Sequence, residues 1–144
     1  MSKYFSATRA RKLLEATAAW LHFEKMCYRE PLFGERYMSY PIGQFLNARF
    51  GNKVRSEHVH PALARVIEGS GGKPKIDFAV VDDNEQMKIA IETKWVSGSS
   101  TLARDIVRDI IRLELLAHEG AKALLVLAGC NRDMNYLFAR SSLR

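Results

Sequence analysis

Two apolar runs separated by a polar turn decide the fold of this chain: IDFAVV at Ile76–Val81 and MKIAIETKW at Met87–Trp95. Short runs rich in β-branched and aromatic residues, bounded by turn-forming residues, are typical of strands. The intervening residues begin Asp82-Asp83-Asn84-Glu85, a composition that favours a tight turn. The sequence therefore predicts a β-hairpin, with Asn84 and Glu85 as its two turn residues.

Three charged residues interrupt these apolar strands: Asp77, Glu92 and Lys94. The predicted turn places Asp77 directly opposite Glu92, and facing residues of an antiparallel pair have Cβ atoms about 4.5–5.5 Å apart. Glu92 and Lys94 are two residues apart, so their side chains share a face of the strand. We therefore expect the three charges to converge on one side of the hairpin. The opposite, core-forming side is expected to carry Ile76, Phe78, Ile89 and Ile91.

Two adjacent carboxylates repel each other unless a cation lies between them. Mg²⁺ or Mn²⁺ is a suitable cation, since a hard divalent ion binds one or two carboxylates and completes its shell with waters and phosphate oxygens. Such an ion activates water and polarises a phosphoryl group. Lys94 adds a positive charge that can stabilise the attacking hydroxide or the transition state. This set of residues is suited to hydrolysis of a phosphodiester.

The flanking sequence predicts how the hairpin is built into a domain. A helix is expected from Ser100 or Thr101 to His118, and the apolar run Ala123–Ala128 predicts a strand buried on both faces. A strand–helix–strand crossover makes that last strand parallel to an earlier one. The other predicted elements are a helix from Ser6 to Cys27, a short helix over Ile42–Phe50 that Pro41 opens, a strand over Val54–Val59, a short helix over Pro61–Glu68 and a helix over Arg132–Arg140.

Together these elements predict one α/β domain over residues 1–144. Its mixed four-stranded sheet is flanked by helices in the order α-β-β-β-α-β-α, the two short helical turns set aside.

The charged hairpin resembles a known motif. Ile76-Asp77, a spacer of fourteen residues and then Glu92-Thr93-Lys94 are similar to the motif of the PD-(D/E)XK nuclease superfamily, which has the restriction-endonuclease-like fold. Ile76 occupies the position of the proline in the name of this motif. The resemblance covers roughly residues 72–129 and implies an αβββαβ core. It also implies Mg²⁺-dependent endonuclease cleavage of DNA, with Asp77 and Glu92 as metal ligands and Lys94 as a catalytic residue.

Members of that superfamily often add a further acid from an upstream element. Glu57, on the strand predicted before the hairpin, is the first candidate for a catalytic and metal-binding role, and Glu24 on the first helix is the second. Glu24 could instead pair with a nearby basic residue. His58 and His60 share a strand face, so a transition-metal site is an alternative there.

The charge balance indicates a polyanionic partner. Lys and Arg total 22 against 16 acids, which gives a net charge of +6 and a pI near 9.5. We expect a nucleic acid, DNA first with RNA as the alternative. A homodimer or larger complex is also expected, because a single active site reaches only one strand of a duplex. The rival hypotheses are a catalytically inactive nucleic-acid-binding module on the same fold and a structural subunit. The expected nucleic-acid contacts are Lys73, Lys75, Arg108 and Arg112.

The sequence gives no indication of a membrane segment. No apolar run approaches the ~18 residues that span a bilayer. The start of the chain, MSKYFSATRARK, is polar and basic where a secretory signal would be apolar. We therefore expect a cytoplasmic protein.

Overall fold

A computed structural model of the chain describes residues 6–64, 73–98 and 102–140. These ranges contain helices and strands, and two short 3₁₀ turns, Glu30–Leu32 and Gly51–Lys53, follow the first and the second helix. In chain order the elements are α1 (Ala7–Met26), α2 (Glu35–Phe50), β1 (Val54–His58), α3 (Pro61–Ala64), β2 (Ile76–Val81), β3 (Met87–Val96), α4 (Leu102–His118), β4 (Lys122–Gly129) and α5 (Asn131–Arg140).

The four strands form one mixed sheet in the order β1-β2-β3-β4. β1 pairs with β2 and β2 pairs with β3 in antiparallel fashion, whereas β4 pairs with β3 in parallel. Helix α4 makes the crossover between the two parallel strands. The predicted α/β class, with a four-stranded mixed sheet flanked by helices, is confirmed.

The register of the hairpin is confirmed, although its turn is not the predicted one. Phe78 pairs with Ile91 and Val80 with Ile89, as the two-residue turn would require. A bulge between Val80 and Val81 then shifts the pairing, so that Val81 faces Met87.

A longer loop replaces the predicted turn at Asn84 and Glu85. The Asp82 N–H donates to the Gln86 carbonyl at 2.9 Å, and the Asp82 carboxylate accepts the N–H groups of Asn84 and Gln86. Glu85 takes the left-handed conformation with a φ of 57°. The bulge compensates for the different loop, and the strands beyond it keep the register that the sequence predicts.

Helices cover both faces of the sheet. Successive side chains of β3 point to opposite faces, and they belong to different apolar clusters. One cluster joins α1 and α2 to the sheet through Leu13, Met38, Ile42, Leu46, Phe78, Val80, Ile89 and Ile91. The other joins α3 and α4 to it through Leu63, Ile76, Ala79, Ala90, Leu113 and Leu116.

Ile76 was expected beside Phe78, and this expectation is wrong. Ile76 belongs to the cluster of α3 and α4, where it is fully buried with Leu63.

Helix α1 agrees with its prediction, whereas α2 begins earlier than predicted. The Ser6 side chain accepts the N–H of Arg9 and caps α1. Helix α2 begins at Glu35, not at Ile42, and it contains Pro41 in its interior. The longer helix fully buries Met38. That burial contributes about 1.5–3 kcal/mol, comparable to the roughly 3 kcal/mol that a proline inside a helix costs.

Strand β4 was expected to be buried on both faces, and this is wrong. It is an edge strand that pairs only with β3 among the described strands, and only Val126 in it is buried.

Two predictions lie outside the described residues. They are the helix cap at Ser100 or Thr101 and the part of the predicted helix Pro61–Glu68 from residue 65 onward.

None of the helices in the described ranges combines the length and apolar character that crossing a bilayer requires.

A test of the β3–β4 pairing uses Gly129, where a Cβ atom would lie 2.6 Å from the Val96 carbonyl oxygen. The backbone at Val96 can move away from the added methyl group only at an energetic cost. Gly129→Ala is therefore expected to lower the free energy of unfolding by about 1–3 kcal/mol. Gly98→Ala is the control, since a Cβ at Gly98 meets nothing within 4 Å. Equal denaturation midpoints for the two variants in urea would contradict the close approach.

Candidate active site

Asp77 is fixed by β3 at the point where the hairpin ladder ends. The recorded pairing of β2 with β3 begins at Phe78 and Ile91, and Asp77 and Glu92 come immediately beyond it. Asp77 Oδ2 accepts both the backbone N–H and the hydroxyl of Thr93, each at 2.7 Å. Thr93 is fully buried. One carboxylate oxygen of Asp77 is therefore held in a set direction by the neighbouring strand.

Glu92 is a buried carboxylate with little compensation. It is 4% exposed, and its Oε1 has no hydrogen-bond partner among the described residues. The nearest ion pair joins Oε1 to Arg112 Nη1 at 3.8 Å, which is longer than a hydrogen bond. Burial, followed by the negative charges of Asp77 and Asp109, raises the pKa of Glu92 to about 8. Asp77 and Glu92 are thus close enough to repel, as the register predicts.

Lys94 links the helices on the two faces of the sheet. Its Nζ lies 3.2 Å from Glu35 Oε2 on α2 and 3.3 Å from Asp109 Oδ2 on α4. Burial on its own lowers the pKa of Lys94, but the charges of Asp109 and Glu35 outweigh it and raise that pKa above its usual value. Lys94 therefore stays protonated at neutral pH.

Arg112 lies within this cluster and not on the outer surface. Its Nη1 is 3.2 Å from Asp109 Oδ1, and its side chain is 20% exposed. The expected role of Arg112 as an exposed phosphate contact is therefore not supported by its position. Arg108 on the same helix is exposed, as are Lys73 and Lys75.

Sequence reasoning missed Asp109 and Glu35 as members of the site. Asp109 is 4% exposed, and burial raises its pKa against the opposing effects of Lys94 and Arg112. A signal for Asp109 did exist, because it occupies the buried stripe of α4 formed by Leu102, Ile106, Asp109, Leu113 and Leu116. Glu35 comes directly after Gly34, where the helical pattern of the sequence is interrupted. No apolar stripe marks Glu35 as a buried residue.

Glu57, the first candidate for an additional acid, lies apart from the cluster. It adopts a positive φ of 46°, its side chain is 76% exposed, and it pairs with Lys75 Nζ at 3.1 Å.

Glu24, the second candidate, is buried but already paired. It accepts two hydrogen bonds from Arg29 Nη1, at 2.9 and 3.0 Å, and one from the Tyr37 hydroxyl. The expectation that Glu24 could pair with a basic residue is confirmed. The recorded contacts join neither Glu24 nor Glu57 to Asp77 or Glu92.

The histidine alternative finds no support in the geometry. His60 Nδ1 accepts the Ala62 N–H at 3.1 Å, so it satisfies the backbone at the start of α3. Over the ranges 6–64, 73–98 and 102–140, no group of three or more His, Cys, Asp or Glu residues is arranged to hold a metal ion.

A cation bound by two carboxylates still fits the site. Asp77 and Glu92 provide oxygen ligands from adjacent strands, and Glu92 Oε1 is buried without a hydrogen bond. Four carboxyl groups, including Asp109 and Glu35, surround two cationic side chains, so release of the Glu92 proton adds to an excess of negative charge that a bound cation would offset. Mg²⁺ binds through one or two carboxylates while keeping several waters, and such binding matches this pair.

Comparisons with family models, with curated proteins and with solved structures give no match to this chain. Its function is therefore inferred from its own residues.

The buried Glu92 predicts a pH dependence of stability in EDTA. The pKa of Glu92 in the folded state, about 8, exceeds its usual value of 4.5, so between these pH values the folded state holds a proton that the unfolded state has released. The free energy of unfolding should then fall as the pH rises from about 5 to about 8, by an amount on the order of a few kcal/mol.

Glu92→Gln should remove most of this slope, whereas Glu114→Gln, on the exposed face of α4, should keep it. Urea titrations across that pH range measure the effect. A wild-type slope that survives in Glu92→Gln would mean that Glu92 is ionised when folded.

Proposed function

We propose that this chain is a metal-dependent nuclease that hydrolyses phosphodiester bonds in DNA. The observation that carries the proposal is the meeting of two carboxyl groups, Asp77 and Glu92, at the end of the hairpin ladder, where one buried oxygen of Glu92 has no hydrogen-bond partner among the described residues. A structural ion-pair cluster would balance its charges, whereas this one suits an added cation.

Each residue of the cluster has a role in this reaction. Asp77 and Glu92 would hold Mg²⁺ or Mn²⁺, which supplies an activated water and a polarised phosphoryl group when bound. The water adds to phosphorus, one P–O ester bond breaks, and the leaving oxygen departs as an alcohol. Lys94 is protonated, so it stabilises negative charge and does not act as a base. Asp109 and Glu35 position its ammonium group.

The order of the elements supports the nuclease resemblance. A helical layer, three strands paired in antiparallel fashion, helix α4 and the parallel strand β4 follow one another along the chain. This order is compatible with the αβββαβ core of the restriction-endonuclease-like fold, and the motif residues lie on the two central strands. Assignment to that fold is part of the proposal.

The proposed partner is DNA, with RNA as the alternative. The net charge of +6 favours a polyanion, and Lys73, Lys75 and Arg108 are exposed cations that can contact phosphates. A cytoplasmic location and assembly as a homodimer or within a larger complex complete the proposal.

A catalytically inactive nucleic-acid-binding module is the second candidate. Lys94 already has two carboxylate partners, and no three-ligand metal group occurs among the described residues; both observations favour this alternative. Such a module would bind DNA with a steep salt dependence but would not cleave it in the presence of a metal.

A plasmid-nicking assay with Mg²⁺, Mn²⁺ or EDTA separates the two functions. Asp77→Asn and Lys94→Met are each expected to lower the cleavage rate by at least about 100-fold, since each removes a group that acts on the charged transition state. EDTA should abolish cleavage by the wild-type protein.

The matched controls are Asp83→Asn in the hairpin loop and Lys88→Met on the other half of β3. Both should cleave at the wild-type rate, and circular dichroism should show that all four variants are folded. DNA binding without cleavage by the wild-type protein would instead favour the inactive module.

A further inference from the structure

A second feature of the molecule lies away from the carboxylates, between the start of α1 and the end of α2. A cavity of about 230 Å³ is lined there by Arg9, Lys12, Phe45, Arg49 and Phe50. Residues three or four apart share a helix face, so α1 presents two cations and α2 presents a ring and a cation to the same space. The cavity therefore combines positive charge with aromatic surface.

The two kinds of residue occupy different depths. Phe45 and Phe50 are half-buried and pack against the apolar cluster of α1 and α2, whereas Lys12 and Arg49 are exposed. The rings thus form the inner wall of the cavity and the cationic groups its rim.

Among the described residues, acidic side chains do not neutralise Lys12 and Arg49 at the rim. No carboxylate of a described residue lines the cavity. The ion pairs recorded within the described residues include neither Lys12 nor Arg49, although the adjacent Arg11 pairs with Glu15 at 3.1 Å. Like charges gathered at one cavity repel each other, and an anionic ligand would relieve this repulsion.

We propose that this cavity binds one nucleotide unit of a nucleic-acid strand, with its phosphate at the cationic rim and its base against Phe45. Arginine binds phosphate in a bidentate manner, and an aromatic ring stacks on any base. The volume is below the roughly 300 Å³ of the smallest usual small-molecule sites. A single unit of a longer strand therefore fits better than a complete free cofactor.

The choice of ligand rests on the proposed nuclease function, and helix α2 connects the two sites. Glu35, which contacts Lys94, is the first residue of α2, and Arg49 is close to its end. At 1.5 Å per residue these positions are about 21 Å apart along the helix axis. The cavity would therefore hold a nucleotide several positions along the strand from the bond that is cleaved.

Fluorescence anisotropy with a 16-nucleotide, fluorescein-labelled single-stranded DNA tests the proposal. The full chain is used in EDTA, so that no metal-dependent cleavage consumes the probe. Lys12→Gln and Arg49→Gln should each weaken binding by about threefold to tenfold, and each should reduce the slope of log affinity against log salt by about 0.7, the value for one contact to a single strand. Arg11→Gln removes the same charge one residue from Lys12 and should bind like the wild-type protein.

The aromatic wall is tested separately. Phe45→Leu keeps an apolar side chain in place but removes the stacking surface, so it should weaken binding of the 16-mer. The same change should have a smaller effect on an abasic 16-mer, which has no base to stack. Thermal melting checks that the variant is folded.

The outcomes distinguish this proposal from the nuclease itself. Equal affinities for Lys12→Gln, Arg49→Gln and Arg11→Gln would overturn the cavity assignment, and competition by AMP at the concentration of the oligonucleotide would overturn the assignment to a strand. Weakened binding in the two cavity variants supports the assignment even if the wild-type protein cleaves no DNA, a result that would remove only the catalytic proposal.

Discussion

The excess of negative charge beneath helix α4 is the constraint on which the arrangement of this molecule depends. Asp77, Glu92 and Asp109 face one another in a region with little access to water, where an uncompensated charge costs several kcal/mol. Lys94 and Arg112 offset part of that cost. A protein selected for stability alone would do better with apolar residues at these positions. This cost is the reason why the proposed function assigns a role to the acids.

The helices on the two sides of the sheet are joined through this cluster. Lys94 reaches Glu35 on α2 and Asp109 on α4, so a single side chain connects layers whose apolar contacts lie in separate clusters. A change in the charge at the site would therefore alter the ion pairs that Lys94 makes with both helices. Helix α2 also carries Arg49 near its other end, so Glu35 at the cluster and Arg49 at the cavity lie on the same helix.

The hairpin could be predicted from the sequence because its period-two pattern and its interrupting charges are local features. The register was predicted correctly for a physical reason: the bulge at Val80 absorbs the extra loop residues before the pairing reaches Phe78 and Ile91. Glu35 could not be predicted, since its place beside Lys94 depends on how α2 packs against the sheet. Asp109 was recognisable as an acid on an apolar stripe, and its contact with Lys94 depends on how α4 packs against the sheet.

Two of the errors in local structure, at α2 and at β4, have a common origin in tertiary packing. Pro41 favours the first turn of a helix, yet burial of Met38 extends α2 beyond it. The apolar run of β4 is typical of a central strand, yet β4 lies at an edge of the sheet. In both cases the neighbour that decides the outcome is distant in sequence.

The anchoring of Asp77 has a consequence for how the site could change over generations. One of its two bonds comes from the main chain of Thr93, and every amino acid except proline supplies that N–H group. Loss of the threonine hydroxyl would thus loosen the carboxylate without releasing it. The path of β3 therefore sets the direction of the Asp77 carboxylate, and the bond from the main chain would persist in a variant that lacks the Thr93 hydroxyl.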